Sequence, residues 1–233
     1  RVFRVVVVEA LQVDTEQPDT VYKVDSSLEE VSMLQDAVRK ALKRADGKDG
    51  LKMLARGMSA QEVVNRLTSD DEQREQRQLG LVDRMGNAAT FTGSGCYDWA
   101  GGVTGAGFAA QGNILANDQV VPAMAQAFET AKGDLAARLL AALSAGDDMG
   151  GDKRGRQGAA LFVVKPNAGY GGHTDRYIDL RVDDHGQPVR ELARLLTLHR
   201  LYFGQTPVHE KIALTSALVR ELQQAAQRHG MYR

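Results

Sequence analysis

The feature that most constrains the fold is a glycine-rich stretch, residues 90–116, which holds seven of the chain's 24 glycines. It also carries the single Trp and the single Cys, Trp99 and Cys96. Glycine at this density indicates that the backbone passes close to another backbone or to a ligand, where a side chain would clash. Two segments of the stretch are predicted strands, and Gln111-Gly112-Asn113 follows them. The glycine-rich stretch and the later loop at residues 146–158 together form the candidate functional region.

The composition excludes several classes of function. A formal net charge of −1 and only 6% aromatic residues offer no basic or base-stacking surface, so no nucleic-acid partner is expected. No apolar run approaches the ~20 residues that cross a bilayer, so no membrane partner is expected. One cysteine excludes an internal disulfide framework and fits a cytoplasmic protein, with an exported or periplasmic location as the alternative.

Hydrophobic spacing and turn residues predict an α+β domain. Ser27 with Glu30 and Ser59 with Glu62 match the capping box that opens a helix. Strands and helices cluster instead of alternating, which predicts a mostly antiparallel sheet covered by helices. Predicted strands span residues 2–8, 20–24, 77–83, 88–92, 159–164 and 176–182. Predicted helices span residues 28–44, 51–56, 59–67, 119–131, 135–145, 188–199 and 212–229, with a glycine turn at 46–50.

Familiar cofactor and metal signatures do not occur in the sequence. There is no G-x-x-x-x-G-K-S/T phosphate loop and no G-x-G-x-x-G after a predicted strand, so no nucleotide cofactor is expected. The five histidines form no H-x-x-x-H pair, and Asp147, Asp148 and Asp152 lack the spacing of a calcium loop, so no metal is expected. We interpret these three carboxylates as a solvated acidic turn and Cys96 as structural.

Two polar segments remain as candidate sites. The Asn113 amide, next to a glycine, could stabilise a developing oxyanion. The alternative is a turn in which Asn113 binds its own backbone. Residues 151–157 carry charges of both signs before a buried strand, which is typical either of a polar cluster beside a pocket or of a charged surface loop.

Between residues 47 and 204 a set of segments occurs in an order that is similar to a known bacterial family. They are GL at 50–51, MSAQEV at 58–63, RQLGLVD at 77–83, FTG at 91–93 with Cys96, WAG at 99–101, QGNILA at 111–116, Met124 with AF at 127–128, GGDKRGRQ at 150–157, YIDLRVDD at 177–184 and LHRLYFG at 198–204. Together they resemble the family called "domain of unknown function 1028". That family is placed among the N-terminal-nucleophile hydrolases, which implies a four-layer α-β-β-α sandwich.

The resemblance implies hydrolysis of a small amide or peptide through an acyl-enzyme, without a cofactor. The attacking group of that superfamily is a Thr, Ser or Cys at the first position of the chain. Residues 1–46 do not match the family's opening and begin with Arg1, so the nucleophile is unknown. The implied pocket residues are Asn113 as oxyanion donor, Asp152 with Arg154 to hold substrate charge or orient the base, and Thr92, Gln111 and Gln157 as substrate-binding residues.

The domain prediction is a hydrolase-like domain at residues 1–204 and a helical C-terminal extension at 205–233. The extension resembles the start of a peptidoglycan-binding-like module. The alternative function is a non-catalytic ligand-binding or cell-wall-associated module without a nucleophile. A third hypothesis is a structural role in a homo-oligomer such as a homodimer, with the predicted helices at 28–42 and 212–229 as contacts.

Overall fold

The structure, a computed structural model, describes residues 6–9, 47–69, 71–204 and 213–231. The chain divides into two compact units, Arg1–Leu198 and His199–Arg233. The strand predicted at 20–24, the helix predicted at 28–44 and its capping pair Ser27 and Glu30 lie outside the described residues.

In the described part of the chain the strands form three antiparallel sheets. The first has the order β1-β5-β4, the second pairs β2 with β3, and the third pairs β6 with β7. The strand bounds are β1 Val6–Glu9, β2 Gln78–Val82, β3 Ala88–Thr92, β4 Gly101–Gly105, β5 Phe108–Gly112, β6 Ala159–Val164 and β7 Arg176–Val182. The expected antiparallel pairing and the α+β class are confirmed.

Six α-helices occur in the same described residues, together with two short 3₁₀ turns. The helices are α1 Gly47–Ala55, α2 Ala60–Ser69, α3 Val120–Thr130, α4 Leu135–Asp148, α5 Pro188–Phe203 and α6 Ser216–Arg228. The 3₁₀ turns are Arg74–Gln76 and Tyr170–Gly172. No helix in these ranges is both long and apolar enough to span a membrane.

The β2–β3 hairpin has a helix on one face and strands on the other. Alternate residues of a strand point to opposite faces, and Leu79, Leu81 and Phe91 pack with the buried Val64 of α2. The hairpin also contacts β4 and β5, while α3 packs against those two strands. A larger core joins α3, α4 and the start of α5 to β5 and the β6–β7 pair.

Glycines let the hairpin approach β4 and β5 closely. A Cβ at Gly102 would lie 2.6 Å from Thr90 Oγ1, and a Cβ at Gly80 would overlap the Gln111 side-chain amide. Gly93 likewise faces the backbone of Glu75. The interpretation of the glycine-rich stretch as a place of close backbone approach is therefore confirmed.

The strongest local signals in the sequence are confirmed. Ser59 and Glu62 form the predicted capping box: Ser59 N donates to Glu62 Oε2 at 2.8 Å, and Glu62 N donates to Ser59 Oγ at 3.3 Å. The hairpin turn falls at residues 84–87, and β3, β6 and β7 have the predicted bounds. Each of these signals depends on residues that are neighbours in sequence.

Within the described ranges, four predicted boundaries are wrong by three or more residues. One is the end of α5, which continues to Phe203, four residues beyond its predicted end. The predicted turn at 46–50 is helical from Gly47, because Gly50 allows α1 to pack closely on α2: its Cβ would lie 3.3 Å from Leu67 Cδ1. Helix α4 continues to Asp148, three residues beyond its predicted end. Helix α6 starts at Ser216 instead of residue 212, since Thr215 caps it by accepting a hydrogen bond from Leu218 N at 3.3 Å.

Candidate functional site

The candidate site begins at the buried end of β5. All five residues of this strand are buried, and Gln111 lies in register with Val6 of β1 and Gly102 of β4. The Gln111 side chain faces Gly80 of the hairpin and is only 9% exposed. Its Oε1 is buried and has no hydrogen-bond partner among the described residues. A buried carboxamide oxygen without a donor is unusual, because it has lost its water without replacement.

Asn113 repeats this feature two residues later. Its Oδ1 is also buried and has no partner in the described part of the chain. The alternative in which this oxygen closes a turn on its own backbone is therefore wrong. Ile114, which follows, has a φ of 60°, a left-handed conformation that is rare for a β-branched residue. Such strain persists where the surrounding structure imposes it, and it clusters at functional sites.

Gln78 connects the hairpin to this end of β5 and was not predicted as a site residue. Its Nε2 donates to Gly112 O at 2.8 Å and to Thr92 Oγ1 at 3.0 Å. Thr92 is thereby placed beside the backbone that separates Gln111 from Asn113. In the sequence, Gln78 is a polar residue near the start of the strand predicted at 77–83. That position does not indicate which distant residues its side chain would contact.

Backbone hydrogen bonds bring the later loop to the residues after β5. Leu115 N donates to Trp99 O at 2.9 Å, and Leu115 also forms an antiparallel bridge with Asp152. Lys153 N donates to Ile114 O at 3.0 Å. The chain at 113–116 thus runs between residues 97–99 and 151–153, and Asp152 lies opposite Leu115 although 37 positions separate them in sequence.

Asp152 is buried and forms an ion pair with Arg154. Its Oδ1 accepts from Arg154 N at 2.8 Å and from Arg154 Nε at 2.9 Å, while Oδ2 also accepts from the guanidinium. The hydrogen bond to Asp152 raises the pKa of Arg154 above its usual value. Asp152 therefore belongs to a polar cluster, and the interpretation of a solvated turn is wrong for it.

The other two carboxylates of this segment, Asp147 and Asp148, lie at the end of α4, so the interpretation of an acidic turn is wrong for them too. Asp147 lies in the last turn of α4, where its Oδ1 accepts from Arg156 Nε at 2.6 Å. Across the described ranges, no group of three or more His, Cys, Asp and Glu side chains is placed to hold a metal ion.

Gln157 and Cys96 lie apart from this hydrogen-bond network. The Gln157 carbonyl accepts from His185 N at 2.8 Å, and no hydrogen bond among the described residues links Gln157 to Gln111 or Asn113. The Cys96 Sγ lies 3.5 Å from Arg77 O. Burial, with a smaller contribution from the Glu75 charge, raises the pKa of the Cys96 thiol, which keeps it protonated and supports a structural role.

Comparison with known proteins identifies the family. The model described as "Family of unknown function (DUF1028)" matches residues 31–192, more than half of the chain. The chain belongs to the DUF1028 family. The matched range begins before residue 47 and ends before residue 204, the two ends of the region that resembles the family in sequence. It includes every candidate site residue.

A solved DUF1028 structure supports the same assignment. The crystal structure of a DUF1028 protein from Silicibacter pomeroyi is similar to this chain with 34% sequence identity and a TM-score of 0.58. The similarity covers 70% of this chain and 72% of that one. The search of curated proteins gave no match.

Proposed function

We propose that this DUF1028 chain is an amide hydrolase of the N-terminal-nucleophile type that acts on a small amide or peptide. The observation that carries the proposal is the pair of carboxamides at the end of β5, Gln111 and Asn113, each with a buried oxygen that lacks a partner within the described residues. Side-chain amides of this kind can bind a substrate amide and stabilise the charge that develops on its carbonyl oxygen.

The packing order supports the proposed superfamily. Helix α2 packs on the β2–β3 hairpin, the hairpin contacts β4 and β5, and α3 packs on those two strands. We propose that these are the layers of an α-β-β-α sandwich. Because a fold hosts many functions, this argument supports the reaction class only by analogy.

In the proposed reaction a Thr, Ser or Cys nucleophile attacks the substrate carbonyl carbon, and Asn113 Nδ2 donates a hydrogen bond to the oxyanion. The C–N bond then breaks, the amine leaves with a proton, and water hydrolyses the acyl-enzyme. Arg154, held by Asp152, would contact a negative group of the substrate. Thr92 and Gln111 would contribute to substrate binding, and Gln157 would do so from outside the hydrogen-bond network around Gln111 and Asn113.

The first test asks whether the native protein carries the nucleophile. Intact mass and N-terminal sequencing of the protein purified from its own organism are expected to show Thr, Ser or Cys as residue 1. A native chain with any other first residue and no hydrolysis of a panel of small amides would contradict the proposal. It would favour the alternative of a non-catalytic ligand-binding module.

A second test addresses the oxyanion donor directly. Asn113→Ala is expected to lower kcat about 10²-fold with little change in KM, because the lost hydrogen bond acts in the transition state. The matched control is Asn65→Ala, since Asn65 lies exposed on α2 and its side-chain oxygen accepts a hydrogen bond from Gln61 Nε2. Equal losses in both variants would argue against the role of Asn113.

A further inference from the structure

The chemistry of the site narrows the ligand it can accept. Gln111 Oε1 and Asn113 Oδ1 are both acceptors, both are buried, and neither has a donor in the ranges that the structure describes. Gln111 is more than nine-tenths buried, so bulk water does not compensate for the missing donor. A ligand that contacts both oxygens therefore brings at least two hydrogen-bond donors.

The charge of the site favours a neutral donor over a cation. The Leu115–Asp152 bridge brings the Asp152 carboxylate to this end of β5, and Arg154 already engages both of its oxygens. Arg154 and the exposed Lys153 are positive and follow directly in the chain. An ammonium or guanidinium ligand would have to compete with Arg154 for the Asp152 carboxylate and would have to be desolvated, which is costly.

The planarity of the amide group restricts the ligand further. The Asn113 side chain presents a carbonyl acceptor and an N–H donor side by side in one plane. A trans secondary amide points its C=O and its N–H in opposite directions, so it cannot pair with both groups at once. A primary carboxamide or a ureido group has an N–H on the same side as its C=O, and it has a second N–H that points away.

We infer that the Gln111–Asn113 site binds a neutral primary carboxamide or ureido group. One N–H of the ligand is donated to Asn113 Oδ1 while the ligand carbonyl accepts from Asn113 Nδ2, and the second N–H is donated to Gln111 Oε1. This inference rests on the proposed function, because it takes the end of β5 to be where the substrate binds. The inference narrows the proposed substrate from small amides and peptides in general to compounds with a primary carboxamide or ureido group.

The test is a binding titration of the full chain with small probes, followed by NMR of the side-chain amide groups. Acetamide and dilute urea are expected to bind at least about tenfold more tightly than N-methylacetamide, guanidinium or acetate, a ratio that one net hydrogen bond supplies. They are also expected to shift the side-chain signals of Gln111 and Asn113. Equal binding of N-methylacetamide, preference for guanidinium or acetate, or binding that leaves both signals unmoved would overturn the inference.

Variants separate this pairing from general effects on the fold. Asn113→Asp replaces the donor by a second acceptor and is expected to weaken acetamide binding about tenfold, whereas Asn65→Asp is expected to leave it unchanged. Gln111→Met removes one acceptor at nearly constant volume and is expected to weaken acetamide binding without unfolding the chain. If the control variant loses as much affinity as the site variants, the inference fails.

The same titration distinguishes this inference from the proposed function. Selective binding of acetamide by a native protein that hydrolyses no amide would contradict the proposed function and support the inference. Hydrolysis of trans secondary amides without selectivity for acetamide would support the proposed function and contradict the inference.

Discussion

Two buried polar side chains near the β2–β3 hairpin have opposite hydrogen-bonding states. Asp83, at the hairpin turn, is 5% exposed and accepts from Met85 N and Asn87 N, each at 2.9 Å, and from Ala60 N at 3.3 Å. Gln111, on β5, is 9% exposed and its Oε1 has no donor among the described residues. Both are about equally hidden from water.

The difference distinguishes a structural polar group from the proposed ligand-binding one. Asp83 closes the hairpin turn and also binds the first amide of α2, so its hydrogen bonds hold two elements together. An unsatisfied buried oxygen such as that of Gln111 costs stability of about 1–3 kcal/mol. In the unliganded fold this oxygen contributes no stabilising hydrogen bond among the described residues. For this reason we propose that the substrate binds there.

The largest expected effect is that of Asp83→Ala. The substitution leaves the amides of Ala60, Met85 and Asn87 without their acceptor, and the free energy of unfolding should fall by about 3 kcal/mol. Urea denaturation measures this change, with Asp184→Ala at an exposed position as the control. A loss of no more than the control shows would mean that Asp83 does not hold the hairpin to α2.

The pH dependence of stability tests the contribution of the Asp83 hydrogen bonds in a second way. Burial by itself raises the pKa of Asp83, but hydrogen bonds from Asn87, Ala60 and Met85 outweigh it, so its pKa lies below the usual value. The contribution of Asp83 is therefore fully present above the unfolded pKa of about 3.9 and is lost as the pH falls toward the lower folded pKa. Wild type should lose more stability than Asp83→Asn over this range in acid-titrated urea denaturation. Parallel curves for the two proteins would rule out this contribution.

An intermediate effect is expected where the hairpin meets Gln111. Gly80→Ala puts a methyl group where the Gln111 amide lies, and the displacement should cost about 1–2 kcal/mol of stability. Because the amide ends a flexible side chain, Gln111→Ala in the same chain should restore part of the loss. A double-mutant cycle by thermal unfolding measures this coupling, and additive effects would show that the two residues do not compete for the same space.

The smallest expected effect on stability is that of Gln111→Met. It removes the unsatisfied oxygen at nearly constant volume, so the free energy of unfolding should stay within about 1 kcal/mol of wild type or rise. Calorimetry of the unliganded chain checks the sign. If Gln111→Met lowered the free energy of unfolding as much as Asp83→Ala, Gln111 would be a structural residue like Asp83.

Much of the fold followed from short-range patterns. The Ser59–Glu62 capping box, the hairpin turn and the bounds of β3, β6 and β7 were predicted from neighbouring residues. The start of α1 was not predicted, because the close packing of Gly50 on Leu67 of α2 is a tertiary contact that turn chemistry does not indicate. Of the site, the segments around Gln111, Asn113 and Asp152 were singled out by their residue types. Their roles stay proposals.

The sequence alone determined the family, the α+β class, the antiparallel hairpins and the helix cap at Ser59. These depend on side-chain period, turn chemistry and contacts between residues three or four positions apart. Only the tertiary structure decided that Gln78 joins Thr92 to Gly112, that Asp152 is buried with Arg154, and that Gln111 and Asn113 keep unpartnered oxygens. Burial and hydrogen-bond satisfaction depend on residues distant in sequence, so no local pattern can encode them.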